Sequence, residues 1–189
     1  PKIATVSSTG VVKGVKAGTV TITATAGNVK ATCKVTVKTS TIKFAKASAT
    51  IYKGKTVTVK ATATPSATVK YTSSNPKVAT VNSSTGVVKG VKAGTVTITA
   101  TAGNLKTTCK VTVKNPTFSL VKYSATIKAG KTTTISSKAA PANKVTYVSS
   151  NKKIATVTSK GVVKGIKKGK ATITVKCNGI TKKFTVTVK

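Results

Sequence analysis

The nineteen residues GVVKGVKAGTVTITATAGN stand at Gly10–Asn28 and again, letter for letter, at Gly86–Asn104. A third version, GVVKGIKKGKATITVKCNG, covers Gly161–Gly179, so the copies follow one another at steps of 76 and then 75 residues. Self-similarity at a fixed period constrains the architecture before any local propensity does, because each period must be a unit of structure that its neighbours repeat. A step of this size is that of one small domain. The result is two complete units, 39–115 and 116–189, and one partial unit, 1–38, which matches only the second half of a complete one, Pro76–Lys114. Alone, such a half buries too little apolar surface to offset its ordering entropy, since chains below about 40 residues generally need a staple or a partner. Something must complete it. The last unit is a finished one, so no spare front half is left to donate by simple swapping, and the chain reads as a window cut from a longer tandem array.

Within each unit the pattern is that of strands, with apolar and polar residues alternating at period two and Val, Ile and Thr dominating, as in Thr95-Val96-Thr97-Ile98-Thr99-Ala100. No helical stripe competes with it. In the first complete unit the pattern predicts strands over Ile42–Phe44, Val57–Ala63, Val69–Ser73, Val78–Val81, Val87–Lys89, Thr95–Thr101 and Leu105–Val113. Turns are expected at Gly54, Asn75-Pro76, Gly94 and Gly103-Asn104, where Gly and Asn tolerate positive φ. Short strands punctuated every 8 to 12 residues or so argue for a small antiparallel sandwich, and the fold class is all-β.

Two stretches of the first complete unit carry a family resemblance: Tyr71-Thr-Ser-Ser-Asn-Pro-Lys-Val-Ala-Thr-Val81, followed by Gly86-Val-Val-Lys-Gly-Val-Lys-Ala-Gly-Thr-Val-Thr-Ile98. This resembles the bacterial immunoglobulin-like domain, group 2, in three copies of which the first is partial. The resemblance implies tandem Ig-like antiparallel β-sandwiches on a bacterial surface or virion protein, and no single activity. Tyr71 and Tyr147 stand where the family often places Trp, and the family's usual scattering of Asp is missing. Tyr71, Tyr147 and Phe184 are the expected aromatic anchors of the cores, with each Tyr hydroxyl needing water or a partner.

Composition excludes whole classes of chemistry. The chain has 34 Lys and no Asp, Glu, His or Arg, so general acid–base pairs, Ser-His-Asp triads and carboxylate metal sites all lack members. Calcium would need carboxylates and zinc more than one thiol per unit, so neither metal nor any other cofactor is expected. The Lys–Asn isopeptide bonds of Ig-like adhesins rely on a buried carboxylate, and that route is closed. The three cysteines could signal an intermolecular disulfide, the odd count being suggestive. Alignment favours a different reading. Cys33 and Cys109 occupy equivalent places, the third unit has Phe184 there, and Cys177 corresponds to Ala26 and Ala102. Positions that accept Phe or Ala are core positions, and all three are expected to be buried free thiols.

The formal charge of +34 at pH 7 is far beyond what solubility needs, and side-chain salt bridges are impossible. One reading is that Lys and Thr fill solvent faces, discourage edge pairing and repel along an array. Another is attraction to polyanions such as teichoic acids or acidic glycans, with Lys53, Lys55, Lys89 and Lys92 as a basic patch near turns. Lysine lacks the bidentate fork of arginine and only seven aromatics are present, so sequence-specific nucleic-acid recognition is not expected. No apolar span of about 18 residues suggests a membrane segment. The expected role is a non-enzymatic stalk or fibre module of an extracellular, bacterial cell-surface protein. A polyanion-binding adhesive module, or a self-assembling filament subunit or virion decoration, is the alternative.

Overall fold

The computed structural model describes residues 2–189, and among these every regular element is a strand. The partial unit contributes β1 (Ala4–Val6), β2 (Val12–Gly14), β3 (Gly18–Ala26) and β4 (Val29–Val37). The first complete unit contributes β5 (Thr41–Phe44), β6 (Ser48–Tyr52), β7 (Thr56–Thr58), β8 (Ala61–Thr64), β9 (Lys70–Ser73), β10 (Ala79–Val81), β11 (Val87–Gly90), β12 (Gly94–Ala102) and β13 (Leu105–Lys114). The second contributes β14 (Thr117–Leu120), β15 (Ser124–Ile127), β16 (Thr132–Thr134), β17 (Ser137–Ala140), β18 (Thr146–Ser149), β19 (Ala155–Val157), β20 (Val162–Gly165), β21 (Gly169–Cys177) and β22 (Ile180–Val188). By compactness the chain falls into two bodies, one of residues up to Ala49 with 56–89 and 95–112, the other of 50–55, 90–94 and 113–189.

Both complete units repeat one topology. A four-stranded sheet, β6-β13-β12-β9 or β15-β22-β21-β18, accompanies a three-stranded one, β7-β11-β10 or β16-β20-β19, and a two-stranded one, β5-β8 or β14-β17. At the centre lies the long hairpin. In the second unit its register runs from Gly169↔Val188 to Cys177↔Ile180, and a turn at Asn178 and Gly179, with φ of 54° and 75°, closes it. Strict alternation then sends Ala171, Ile173, Val175 and Cys177 to one face with Phe184, Val186 and Val188, all buried. Each fully buried Val or Ile contributes about 1.5–3 kcal/mol of transfer free energy. Phe118, Leu120, Ala155 and Val163 from other strands, with Ile135 from the link after β16, pack into the same core.

Three features differ from the alternation pattern. The expected strand Val57–Ala63 is two strands, β7 and β8, which belong to different sheets. The change of sheet occurs at Val59 and Lys60, where the Val59 N–H donates to the Gly86 carbonyl and the Lys60 carbonyl accepts from the Ala45 N–H. Because Val57, Val59, Ala61 and Ala63 keep period two through the crossing, the sequence does not mark it. Strand β6 was not expected, and its counterpart β15 pairs parallel with β22, Ser124 opposite Thr185 through Ile127 opposite Val188. One parallel pair in an otherwise antiparallel sandwich needs a long connection and so leaves no turn signature beside it.

The Tyr-Thr-Ser-Ser-Asn stretch turns out to be a corner. The Ser73 hydroxyl donates to the Ala79 carbonyl at 2.7 Å, the Ser74 hydroxyl accepts from the Thr97 N–H at 3.1 Å, and the Asn75 Oδ1 accepts from the Lys77 N–H at 3.1 Å. Ser149, Ser150 and Asn151 make the same three bonds in the second unit. These side chains satisfy backbone groups that the corner removes from the sheet ladder. Behind the corner the Tyr71 hydroxyl accepts from the Ala61 N–H at 3.0 Å, and its ring lies against Gly86, which has a φ of 69°. A Cβ at Gly86 would meet the Val59 carbonyl as well as that ring. Gly86→Ala should therefore lower the stability of the first complete unit by more than about 2 kcal/mol in chemical denaturation, combining φ strain with a clash. A loss below 0.5 kcal/mol or so would show that the ring and carbonyl are not packed as described.

Candidate functional site

The lysine-bearing turns are built by a glycine placed where two backbones meet. In the first complete unit the turn Tyr52–Lys55 closes with a bond from the Lys55 N–H to the Tyr52 carbonyl, and Gly54 adopts a φ of 79°. The Gly54 N–H then donates to the Gly90 carbonyl at 2.8 Å, the Gly90 N–H donates to the Lys55 carbonyl at 3.0 Å, and the Lys53 N–H donates to the Lys114 carbonyl at 2.9 Å. Lys53 and Lys55 are thus held beside Gly90, the residue that follows Lys89, while Lys92 lies in the short connection leading to β12. All four are exposed.

The second complete unit builds the same turn with different residues. Gly130 donates to the Gly165 carbonyl at 2.9 Å, Gly165 donates to the Lys131 carbonyl at 3.0 Å, and Ala129 donates to the Lys189 carbonyl at 3.1 Å. Lys128, Lys131 and Lys164 therefore form a second basic turn, which sequence reading overlooked although the copies align. The aligned glycines Gly90 and Gly165 were the available signal.

Burial separates the remaining candidates. Tyr71 and Phe184 are buried, whereas Tyr147 is half-buried, its ring resting against Gly161. Cys109 and Cys177 are buried free thiols, and desolvation raises the Cys109 thiol above its ordinary value of 9.0, holding it protonated at neutral pH. Cys33, expected in a core, is exposed. Its strand has the same alternation as β13, but the partial unit has no counterpart of β5–β9 to cover it. Burial there depends on the absent layer rather than on the local pattern.

The electrostatics are one-sided. Every lysine is exposed except Lys182, which is half-buried, and no side-chain carboxylate exists to pair with any of them. No buried side chain among the described residues is polar or charged, and none of their buried side-chain N or O atoms lacks a hydrogen-bond partner. Charge therefore enters the stability of this chain only as repulsion between lysines. The melting temperature should rise by several degrees between about 0.05 and 1 M sodium chloride, because screening removes repulsion and breaks no ion pair. The chain has no Asp, Glu or His side chain to change charge between pH 7 and 4, so the same measurement should stay within about 2 °C. A fall in melting temperature with salt, or a steep loss in acid, would contradict this account.

Comparison with known proteins supplies the family. The model of the bacterial Ig-like domain (group 2) matches residues 1–37, 38–113 and 115–188. A 3-O-alpha-D-galactosyl-alpha-L-arabinofuranosidase of Bifidobacterium longum subsp. longum is 57% identical over 53 residues, which are 26% of this chain and 5% of that protein. Among solved structures, the S-layer protein rSbsC is similar at a TM-score of 0.45 and 18% identity, over 98% of this chain and 37% of that one. The immunoglobulin domains 1–5 of Sidekick-1 are similar at a TM-score of 0.44 and 16% identity, over 92% and 45% of the two chains. The chain thus spans only a small part of the curated relative it matches and about two fifths of these solved chains. Matched in three successive segments that take in nearly every residue, the chain belongs to the bacterial Ig-like domain (group 2) family.

Proposed function

We propose that these repeats serve as a non-enzymatic structural module of an extracellular bacterial surface protein, a stalk or fibre segment that holds other parts of the protein away from the wall. The observation that carries this reading is the division of labour between core and surface. Each complete unit closes on apolar side chains alone, and its outside offers lysine, threonine and serine. Chemistry would need a desolvated polar group aimed at a substrate, and the corner side chains Ser73, Ser74 and Asn75 are instead engaged with backbone. Placement in a longer surface chain accords with the family and with the short share of the glycosidase that this chain matches. The activity of that enzyme belongs to that enzyme.

Pulling the chain by its ends in a force spectrometer tests the reading. Two unfolding events are expected, one for each segment 38–113 and 115–188, each lengthening the chain by roughly 250 Å at about 3.3–3.6 Å per residue. A single event, or gradual extension without force peaks, would contradict a mechanical role for independent sandwiches.

A second reading is favoured by the charge of +34 and by the recurrence of the lysine turn at Gly90 and Gly165. In it the module also adheres to polyanions such as teichoic acid or acidic glycan, using Lys53, Lys55, Lys89 and Lys92 and the matching turn of the second unit. Binding of purified teichoic acid should then weaken steeply with salt, and replacing those four lysines by Gln should flatten the salt dependence. Binding that is absent at about 0.05 M salt removes this reading and leaves the structural one standing.

A further inference from the structure

In both complete units an early strand lies directly beside the last one, β6 beside β13 and β15 beside β22. The pairs run parallel. Ser124–Ile127 stand opposite Thr185–Val188 in the same order. In the first unit the Ala47 carbonyl accepts from the Lys110 N–H at 3.0 Å, and further along both strands the Lys53 N–H donates to the Lys114 carbonyl at 2.9 Å.

Parallel pairing decides how such a ladder meets a pull. Tension arriving from the N-terminal side draws β15 backward from Ser124, and tension leaving on the C-terminal side draws β22 forward from Val188. The two strands are dragged along their axes in opposite directions, so all rungs are strained together. Were the pair antiparallel, both tensions would act at one end and the rungs would break singly. Strand β14 meets the tension first, through its four pairs with β17. Once it slides, the pull reaches β15 at Tyr123, whose carbonyl accepts from the Thr185 N–H at 2.9 Å.

The far end of each ladder is held by a lysine turn. The Ala129 N–H donates to the Lys189 carbonyl at 3.1 Å, and the Lys189 N–H donates to the Ile127 carbonyl at 2.9 Å. The same turns are tied to the three-stranded sheet by Gly54 with Gly90 and by Gly130 with Gly165. Close packing surrounds these ties. A Cβ at Gly165 would meet Val188 and the Lys128 carbonyl at 3.1 Å and Ile127 at 3.2 Å. One at Gly90 would meet Val113 at 2.9 Å, the Tyr52 carbonyl at 3.1 Å and Ile51 at 3.2 Å. Glycine lets both strand ends seat here, and the strands cannot slide until these apolar side chains are dragged out of the contact.

We propose that β6–β13 and β15–β22 are shear clamps that set how much tension each complete unit withstands, with the turns Tyr52–Lys55 and Lys128–Lys131 as their locks. The proposal rests on the stalk reading, which supplies the tension, and goes beyond it in assigning the resistance to one ladder per unit.

The turns permit a substitution that removes one rung and little else. Each closes with a bond from its fourth residue to its first, and Gly54 and Gly130 stand third with φ of 79° and 78°. Lys53 and Ala129 are therefore second, where proline is favoured but has no N–H to donate. With the chain held by its ends at constant force, Ala129→Pro should shorten the mean dwell before one of the two unfolding events about 3- to 10-fold and leave the other unchanged. Lys53→Pro should do the same to the other event. Either variant should melt within about 3 °C of the unsubstituted chain, because the preset φ offsets the lost bond.

Direction of pull supplies a second measurement, in which the ladder is left whole. The exposed Cys33 is replaced by Ser, one handle is attached through Lys131→Cys, just past β15, and the other at Lys189. Both strands are then drawn from the same end, and the second unit should open at least about 10-fold sooner at the same force than when the chain is held by its ends, its rungs breaking singly. Should a proline lower the melting temperature further than expected, the direction measurement alone decides. Two events whose dwells ignore both prolines, or a dwell that does not depend on direction, overturn the clamp and leave the stalk reading standing. Extension without any force-resisting event overturns both.

Discussion

Everything in this structure depends on covering one apolar face of a long β-hairpin. The hairpin itself is local: Gly-Asn or Asn-Gly at its tip and alternating Val, Ile, Ala and Thr along its arms are enough to set its register. Its value to stability is not local. Ile98 and Val111 are fully buried in the complete unit, whereas Ile22 and Val35, at the same places in β3 and β4, are only partly buried with the hairpin intact. The alternation decides which side chains share a face, and a second layer decides whether that face leaves water.

The absence of acidic side chains removes a whole class of fold-defining contacts, and hydroxyls and amides take their place. Thr95 and Thr112 face one another across β12 and β13, Ser73 and Asn75 bind the corner of the sheet, and Asn178 reaches the Pro141 carbonyl at 2.8 Å. None of these bonds involves a charged side chain. The lysines meanwhile stand in ten of the twenty-two strands and in the turns between them, β4 carrying Lys30 and Lys34, and charge at such positions opposes indiscriminate edge-to-edge pairing.

Much of the fold was legible because period-two alternation and glycine turns are local signals. Strands β9, β11, β12 and β13 lie within a residue or so of the expected Val69–Ser73, Val87–Lys89, Thr95–Thr101 and Leu105–Val113, and Gly54 and Gly103 have the positive φ that their turns need. What could not be read is long-range. The change of sheet at Val59–Lys60 keeps the alternation unbroken, and β6 and β15 join strands far along the chain with no turn to announce them. Cys33 was misplaced for the same reason, since its surroundings in sequence match those of Cys109 and only the missing layer separates them. The second lysine turn was hidden by substitution, with Tyr52-Lys53-Gly54-Lys55 replaced by Lys128-Ala129-Gly130-Lys131 around a conserved backbone geometry.

Amide hydrogen exchange of the whole chain tests the central claim most directly, because Gly10–Asn28 and Gly86–Asn104 have the same sequence and hence the same intrinsic exchange rates. Peptides extended to Val29 and to Leu105 differ in mass and can be followed side by side in one sample. Thr19–Thr25 should exchange at least about 1,000-fold faster than Thr95–Thr101, the difference being the stability conferred by the covering layer. Equal protection of the two stretches would mean that the hairpin is stable without its cover, and would contradict the account.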